Sequence, residues 1–406
     1  MARIDPKAVL EGRLPGRPPV ALVMGLTVSS LCALIALAID ALYGGAGFWV
    51  GVVLAILPIP LLIALVLTLD RMEPEPPRAL LFSFMWGAGV AVLGALVLNT
   101  LGLLYVTVPI FGEVKGHFVS AAFGAPVIEE SLKGAVLFGL LWWRRNEIDG
   151  FADGIMYACM VGLGFAMMEN VTYYMRAFDQ GGAQQLQAVF ILRGVVAPLS
   201  HPLFTSMTGI GVAWAATHRR GRVLAPALGL LGAMLLHGLW NGAASMGLGG
   251  LGAVYVLDAL VLCGLLTVVF VERHNTVKRI EHVLPMYEPT GLVTPADIRM
   301  LRSIPARRAA RRWARALGGR GASKAMEDYQ LAATELALLH KRAERGVAEP
   351  HWFEGRRDAL LSLMGLARQA FLRTAPPERR HGPPWAGPGP SGFGPPPPPP
   401  AAGPYG

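Results

Sequence analysis

From residue 20 to residue 271 the chain alternates long apolar runs with short polar interruptions. The runs predict helices over 20–40, 49–69, 79–106, 118–143, 150–175, 188–217, 223–245 and 251–271. At 1.5 Å of rise per residue, runs of this length can cross a hydrocarbon core of ~30 Å. The pattern therefore predicts an all-α, polytopic membrane helical bundle of about eight transmembrane helices. The first run is longer than a signal-peptide core and lacks a small-residue cleavage site after it, so it is expected to stay in the chain.

After residue 271 the pattern changes. Residues 272–293 are mixed and hold Pro285 and Pro289. Thr294-Pro295 reads as a helix cap followed by proline at the first helical position. An interruption is expected near Pro305, then a basic stretch through Arg307, Arg308, Arg311, Arg312 and Arg315 with Trp313. That stretch suits either a solvated face or an anionic inner leaflet. Two further helices, near 322–345 and 350–373, carry Leu and Ala at helical spacing around Gly346 and predict an antiparallel cytoplasmic hairpin. The last segment is mostly Pro and Gly, including the run Pro395 to Pro400, and is expected to be disordered. The organisation is thus a cytoplasmic N-terminal segment (1–19), a transmembrane catalytic domain (20–271), a cytoplasmic helical tail (272–374) and a disordered Pro/Gly-rich segment (375–406).

Composition sharpens this picture. The 406 residues are 53% hydrophobic and only 16% charged, against about 25% charged in soluble domains. The net charge of +9 comes from the tail and the short loops, so it does not call for nucleic acid. Segments 1–19, 70–78, 144–149 and 217–222 hold eleven Lys and Arg, and the alternate loops hold two, Lys115 and Arg176. Under the positive-inside rule this alternation predicts a multi-pass protein of the cell membrane with both termini in the cytoplasm. Cys32, Cys159 and Cys263 fall in three different apolar runs and imply no disulfide framework.

Ionisable residues inside these runs are the candidate chemistry. Each costs at least ~2.5–3.5 kcal/mol at the bilayer centre, so it needs a partner, a cavity or a task. The fourth run carries Glu129-Glu130-Ser131-Leu132-Lys133, in which Glu129 and Lys133 can pair at i,i+4. The fifth carries Glu169-Asn170. The sixth carries Arg193, in pairing range of Glu169, and His201 between Pro198 and Pro202, with Thr205 and Thr208 on the His201 face. The seventh carries His237 and Asn241 on one face. Counted from the cytoplasmic ends, Glu129 and Glu130 lie ~20 Å deep, His237 ~21 Å, His201 ~24 Å and Glu169 ~28 Å. One buried polar site in the outer half of the membrane accounts for these depths.

Such a site can hydrolyse a peptide bond: a Glu takes a proton from water and returns it to the leaving amine, and a His or Asn donates to the oxyanion. No Ser or Cys has a nucleophile's setting. The same groups could hold zinc through His201, His237 and Glu130, although the HExxH motif is absent; the preferred reading requires no cofactor. Glu129-Glu130-x-x-Lys133, Phe165-x-x-x-Glu169-Asn170, Pro198-x-x-His201, His237-Gly-Leu-Trp-Asn241 and the loop from Asp70 to Pro76 together resemble the PrsW family of intramembrane proteases, across about residues 50–250. That family is distantly similar to the CAAX prenyl protease group. The resemblance implies Glu129 and Glu130 as base and support, and His237 and Asn241 as the oxyanion pair. Glu169 stands where the CAAX group has a His, with His201 as the residue that compensates. It also implies membrane-protein substrates, such as single-pass anti-sigma-type regulators. Two other classes fit parts of the pattern: a proton-coupled transporter using the buried Glu and His residues, which lacks the expected inverted repeat, and an idle scaffold whose tail is the working part.

Overall fold

The computed structural model describes residues 20–69, 72, 74–143, 145 and 148–373. The N-terminal segment 1–19, the loop residues Asp70, Arg71 and Glu73, and the Pro/Gly-rich segment 375–406 lie outside the described residues. Every regular element among the described residues is helical and none is a strand. Two compact units divide the chain. One takes in residues 20–69 and 74–270; the other takes in Met72 and residues 271–373.

In the first unit, α1 is Val20–Ile56 and α2 is Ile59–Leu67. The third helix, α3, is Pro77–Phe111, with π-helical turns at Gly87–Ala91 and Leu103–Thr107. A short α4, Glu113–Val119, leads through a π-helical turn at Ser120–Gly124 into α5, Ala125–Trp143. Then come α6, Phe151–Phe190, a π-helical turn at Ile191–Val196, α7, Ser200–Thr217, and α8, Leu224–Ala244. The last, α9, is Gly247–Val283, and its residues from Val271 on belong to the second unit.

Among the described residues, five stretches are long and apolar enough to cross a membrane: Val20–Leu67, Pro77–Phe111, Phe151–Thr217, Leu224–Ala244 and Gly247–Thr290. The eight expected runs do not map one to one. The first two share Val20–Leu67, and the fifth and sixth share Phe151–Thr217. The fourth run, carried by α5, is not among the five because Glu129, Glu130 and Lys133 crowd its nineteen residues.

The fused stretches fold back on themselves. At 48 and 67 residues they would be ~70 and ~100 Å long if straight, far beyond a ~30 Å core. In α1 the helix breaks at Gly45 (φ 45°, ψ −128°). Asp40, before the break, accepts from Thr172, and Gly51, after it, packs on the backbone of Val171. In α6 it breaks at Gly181 and Gly182, the latter at φ 62°. Beyond that break Phe190 meets Tyr174, Ser206 meets Cys159 and Gly209 lies on Gly154, so the two limbs run antiparallel.

The unit is packed for a bilayer. Large side chains such as Leu31, Leu61 and Leu260 point outward, 54%, 74% and 65% exposed. Small residues, Ala88, Ala91, Ala158 and Ala213, fill the interior, which is how helices approach when lipid is as apolar as Leu. At the end of α5, Trp142 and Trp143 are exposed in the manner of interfacial anchors. Arg145 donates to the carbonyls of Ala215 and Ala216 at the C-terminus of α7, the negative end of that helix.

The second unit has its own core, in which Ile280, Leu284, Leu301, Met326, Leu336 and Met364 are buried together. Its helices beyond α9 are α10, Pro295–Leu301, α11, Ile304–Glu344, and α12, Pro350–Arg373. Thr294 caps α10 by accepting from the Asp297 amide. The expected interruption near Pro305 lies at Ser303, which caps α11. The helix then runs on past a break at Gly318 and Gly319. After Gly346 (φ 63°) the chain reverses. Contacts of His340 with Phe353, Glu335 with Arg356 and Tyr329 with Phe371 make α11 and α12 antiparallel.

One buried acid went unread in the sequence. Asp258 lies in α9 on the face formed by Val254, Leu265 and Val269; it is 8% exposed, and its Oδ1 has no hydrogen-bond partner among the described residues. Leaving a buried polar group unsatisfied costs about 1–3 kcal/mol, whereas an apolar group of like size does not. Asp258→Leu is therefore expected to raise the thermal stability of the detergent-solubilised protein. An unchanged or lower melting temperature would show that Asp258 is satisfied in the membrane.

Candidate active site

The polar residues of the apolar runs converge on Lys133. The helix of α5 turns Glu129, Glu130 and Lys133 toward α6, α7 and α8, and all three are buried. The Lys133 Nζ donates to Glu130 Oε1 at 2.9 Å, to Glu129 Oε2 at 3.4 Å and to His201 Nδ1 at 2.9 Å. These use all three protons of an ammonium. Its positive charge also lies 3.7 Å from the centre of the Phe165 ring, a cation–π contact from α6.

That arrangement fixes the next partners. With Nδ1 of His201 accepting, Nε2 carries the proton and donates to Glu169 Oε2 at 2.8 Å. Arg193 donates to the same carboxylate and, through Nε, to Asn170 Oδ1 at 2.6 Å. The pairing of Arg193 with Glu169 is the one the sequence allowed. Glu130 is held by three donors: Oε1 receives Lys133 and His237 Nδ1, the latter at 3.0 Å, and Oε2 accepts from Thr205 at 2.9 Å. Glu129 is held more loosely. Asn99 donates to its Oε1 at 3.2 Å, and His237 Nε2 stands 3.8 Å from its Oε2. The two imidazoles meet edge to face with centroids 5.2 Å apart, and Phe204 stacks on His237.

The backbone is shaped around His201. The π-helical turn at Ile191–Val196 carries Arg193, and the helix opens at Ala197 (φ −126°, ψ 44°) before Pro198. Ser200 Oγ and Tyr255 Oη bond the carbonyls of Ala197 and Val196, as membrane depth demands of irregular backbone. Gly162 lets α6 approach this segment: a Cβ there would lie 2.5 Å from Pro202 N and 2.7 Å from the His201 carbonyl carbon. A cavity of about 20 Å³ is lined by Asn170, Arg193, Ser200, His201 and Trp240, room for one water.

Of the residues singled out in the sequence, Glu129, Glu130, His201, His237 and Glu169 are brought into one cluster. Asn241 is not. Its amide donates to the Ala121 carbonyl at 2.9 Å, in the π-helical turn ahead of α5. Of the loop from Asp70 to Pro76, Glu75 is buried and accepts from Tyr157 at 2.5 Å. Asn99 was missed, since a lone Asn in an apolar run has no local partner to betray it. Lys133 was read only as a partner for Glu129.

Glu129, His201 and His237 each offer a ligand atom within 4.8 Å of the others, all buried. By type, number and spacing they fit one divalent ion. The carboxylate of this set is Glu129 rather than Glu130. Lys133 competes for the same place, because it holds His201 Nδ1 while Glu169 holds Nε2.

Residues 75–271 match the model of the PrsW family, described as intramembrane metalloproteases. The chain is 32% identical over 152 residues to "Protease PrsW" of Oceanobacillus iheyensis, covering 37% of this chain and 66% of that protein. It is 30% identical over 156 residues to the Clostridioides difficile protein of that name, covering 38% and 62%. It is 29% identical over 140 residues to that of Geobacillus kaustophilus, covering 34% and 55%. The chain thus spans between 55% and 66% of the curated relatives it matches. No solved structure matches.

Removing one partner of a buried ion pair typically costs 3–5 kcal/mol, because the other charge is left uncompensated. Lys133→Met is therefore expected to lower stability by about that much, and Lys133→Met with Glu130→Gln to recover part of the loss. Thermal melts of the single and double variants measure this. Equal melting of Lys133→Met and wild type would mean that the ammonium holds nothing together.

Proposed function

We propose that this chain, which belongs to the PrsW family through residues 75–271, is an intramembrane protease that cleaves membrane-protein substrates with a glutamate-activated water. The observation that carries the reading is the cluster of Glu129, Glu130, Lys133, His201 and His237 buried within an apolar helical unit. Glu129 is the base, because it is the more loosely held of the pair, with two long bonds against three shorter ones on Glu130. Glu130 is the support: it holds His237 and Lys133 and is itself held by Thr205. His237, with its Nδ1 proton given to Glu130, is placed to polarise the scissile carbonyl only after its own proton shifts. Lys133 is the standing cation beside the developing oxyanion, a role that preorganised charge fills well in a dry site. Asn241 enters this role only by releasing the Ala121 carbonyl.

The proton taken by Glu129 passes to the leaving amine. His201 and Glu169 keep Lys133 oriented, and Arg193 holds Glu169 by direct pairing. A divalent ion held by Glu129, His201 and His237 would supply Lewis-acid polarisation and a more acidic water. The preferred reading gives that work to Lys133, whose ammonium occupies His201. The fold-backs at Gly45 and at Gly181 and Gly182 support eight crossings, and the loop charges support cytoplasmic termini in the cell membrane. Single-pass regulators are the substrates this architecture suits.

Co-expression with a library of tagged single-pass membrane proteins tests the activity. Loss of one general base typically costs 10²–10⁴ in rate, so Glu129→Gln is expected to abolish detectable cleavage while the protein still inserts. Asn241→Ala is expected to retain most activity, since its amide is spent on Ala121. Full proteolysis by Glu129→Gln and Glu130→Gln would end the protease reading in favour of proton-coupled transport. Assay of the purified enzyme with and without a chelator decides the catalytic type: chelator-resistant cleavage is expected. For topology, reporters fused at Gly247 and Gly406 are expected on opposite sides of the membrane; the same side for both defeats the eight-crossing arrangement.

A further inference from the structure

The second unit carries a run of charge that the proposed proteolysis does not use. Between Asp297 and Glu327 there is no acidic residue, and there are nine basic ones. Four of the nine are committed. Arg302 pairs with Glu281, Arg311 with Glu327, and Lys324 with Glu327 and Asp328. Arg307 is 3% exposed and spends its guanidinium on the carbonyls of Leu301 and Met72 and the hydroxyl of Thr334. The other five, Arg299, Arg308, Arg312, Arg315 and Arg320, are exposed and bond no acid among the described residues.

Three of these five form a stripe. Arg308, Arg312 and Arg315 stand at i, i+4 and i+7 on α11, one face of a helix. The adjoining face is fixed: Ile304, Arg307, Ala310 and Ala314 are buried, and Trp313 packs on Phe371. The stripe is therefore presented by a packed helix and not by a loose basic tail. Beside it the exposed residues are small, Ala309 and Ala316. Nothing large and apolar is there to insert, so the face can recognise charge alone.

We propose that this stripe is a docking surface for the anionic headgroups of a phospholipid leaflet. Guanidinium groups bind phosphate oxygens bidentately. The chain enters this unit directly from α9, which belongs to an apolar stretch, and only 25 residues separate Val283 from Arg308. A tether that short keeps a bilayer surface at high effective concentration. Acidic lipids are thus the polyanion at hand. The inference needs the chain to span a membrane and does not need it to be a protease.

The test uses the full chain in nanodiscs of phosphatidylcholine alone or mixed with phosphatidylglycerol, with trypsin cleavage after Arg320 as the readout. Three arginines at an anionic surface are worth about a hundredfold in association. Cleavage is therefore expected to be at least about tenfold slower with phosphatidylglycerol, and the protection to vanish in high salt. The triple variant Arg308→Gln, Arg312→Gln, Arg315→Gln is expected to be cut equally fast in both lipids. The triple Lys variant is expected to keep the protection, which separates loss of charge from loss of fold. Equal cleavage of the wild type in both lipids would overturn the proposal. So would undiminished protection of the Gln variant, or protection by added RNA in neutral nanodiscs with none from phosphatidylglycerol.

Discussion

The ammonium of Lys133 is the interaction on which the buried site depends. Its three bonds reach two carboxylates on its own helix and an imidazole on α7, and its charge lies over an aromatic ring of α6. In water such contacts are worth little; in a low-dielectric interior they are strong and unforgiving. Three carboxylates, Glu129, Glu130 and Glu169, face two fixed cations, Lys133 and Arg193. Carboxylates outnumber fixed cations, so each cation is shared: Lys133 serves Glu129 and Glu130 together, and Arg193 serves Glu169. Removing either cation would leave a buried carboxylate uncompensated.

The cluster also explains why the membrane unit is so irregular in backbone. An uninterrupted helix leaves no carbonyl free and no space beside it. Here π-helical turns or openings precede two of the functional stretches: Ser120–Gly124 ahead of the Glu pair, and Ile191–Val196 with Ala197 ahead of His201. The freed carbonyls of Ala121, Val196 and Ala197 are each taken by a side chain, from Asn241, Tyr255 and Ser200. Close approach of glycines then brings the irregular segments against their neighbours, as Gly162 does for His201. The side-chain bonds to those carbonyls are what irregular backbone at membrane depth needs.

Much of this was legible in the sequence because the signal was local. An ionisable residue in an apolar run stands out by itself, and counting 1.5 Å per residue brought Glu129, His201 and His237 to one depth. Glu169 counted deeper than His201, yet the opening at Ala197 lets the two meet. The helical hairpin of the second unit was announced by Gly346 and by the spacing of Leu and Ala. What was hidden depended on partners distant in sequence. Asn99 looks like any polar residue in a long run until Glu129 lies across from it, 30 positions on. The diversion of Asn241 to Ala121 follows from a π-helical turn that no periodicity reveals. Asp258 escaped for the opposite reason: no motif surrounds it, and no partner meets it.

The same geometry separates the two readings that the buried charges allowed. A transporter's ionisable residues must exchange partners as the two sides open in turn, so their contacts need to be few and reversible. In this cluster every donor of Lys133 is spent, Glu130 accepts three bonds, and His201 is bonded at both nitrogens. Glu129 is held more loosely, with His237 Nε2 across from it at 3.8 Å. So many mutual bonds would all have to be exchanged in a transport cycle, whereas preorganised charge needs no reorganisation at the moment of reaction. The cavity with room for one water lies on the other side of His201, lined by Asn170, Arg193, Ser200 and Trp240 and not by Glu129.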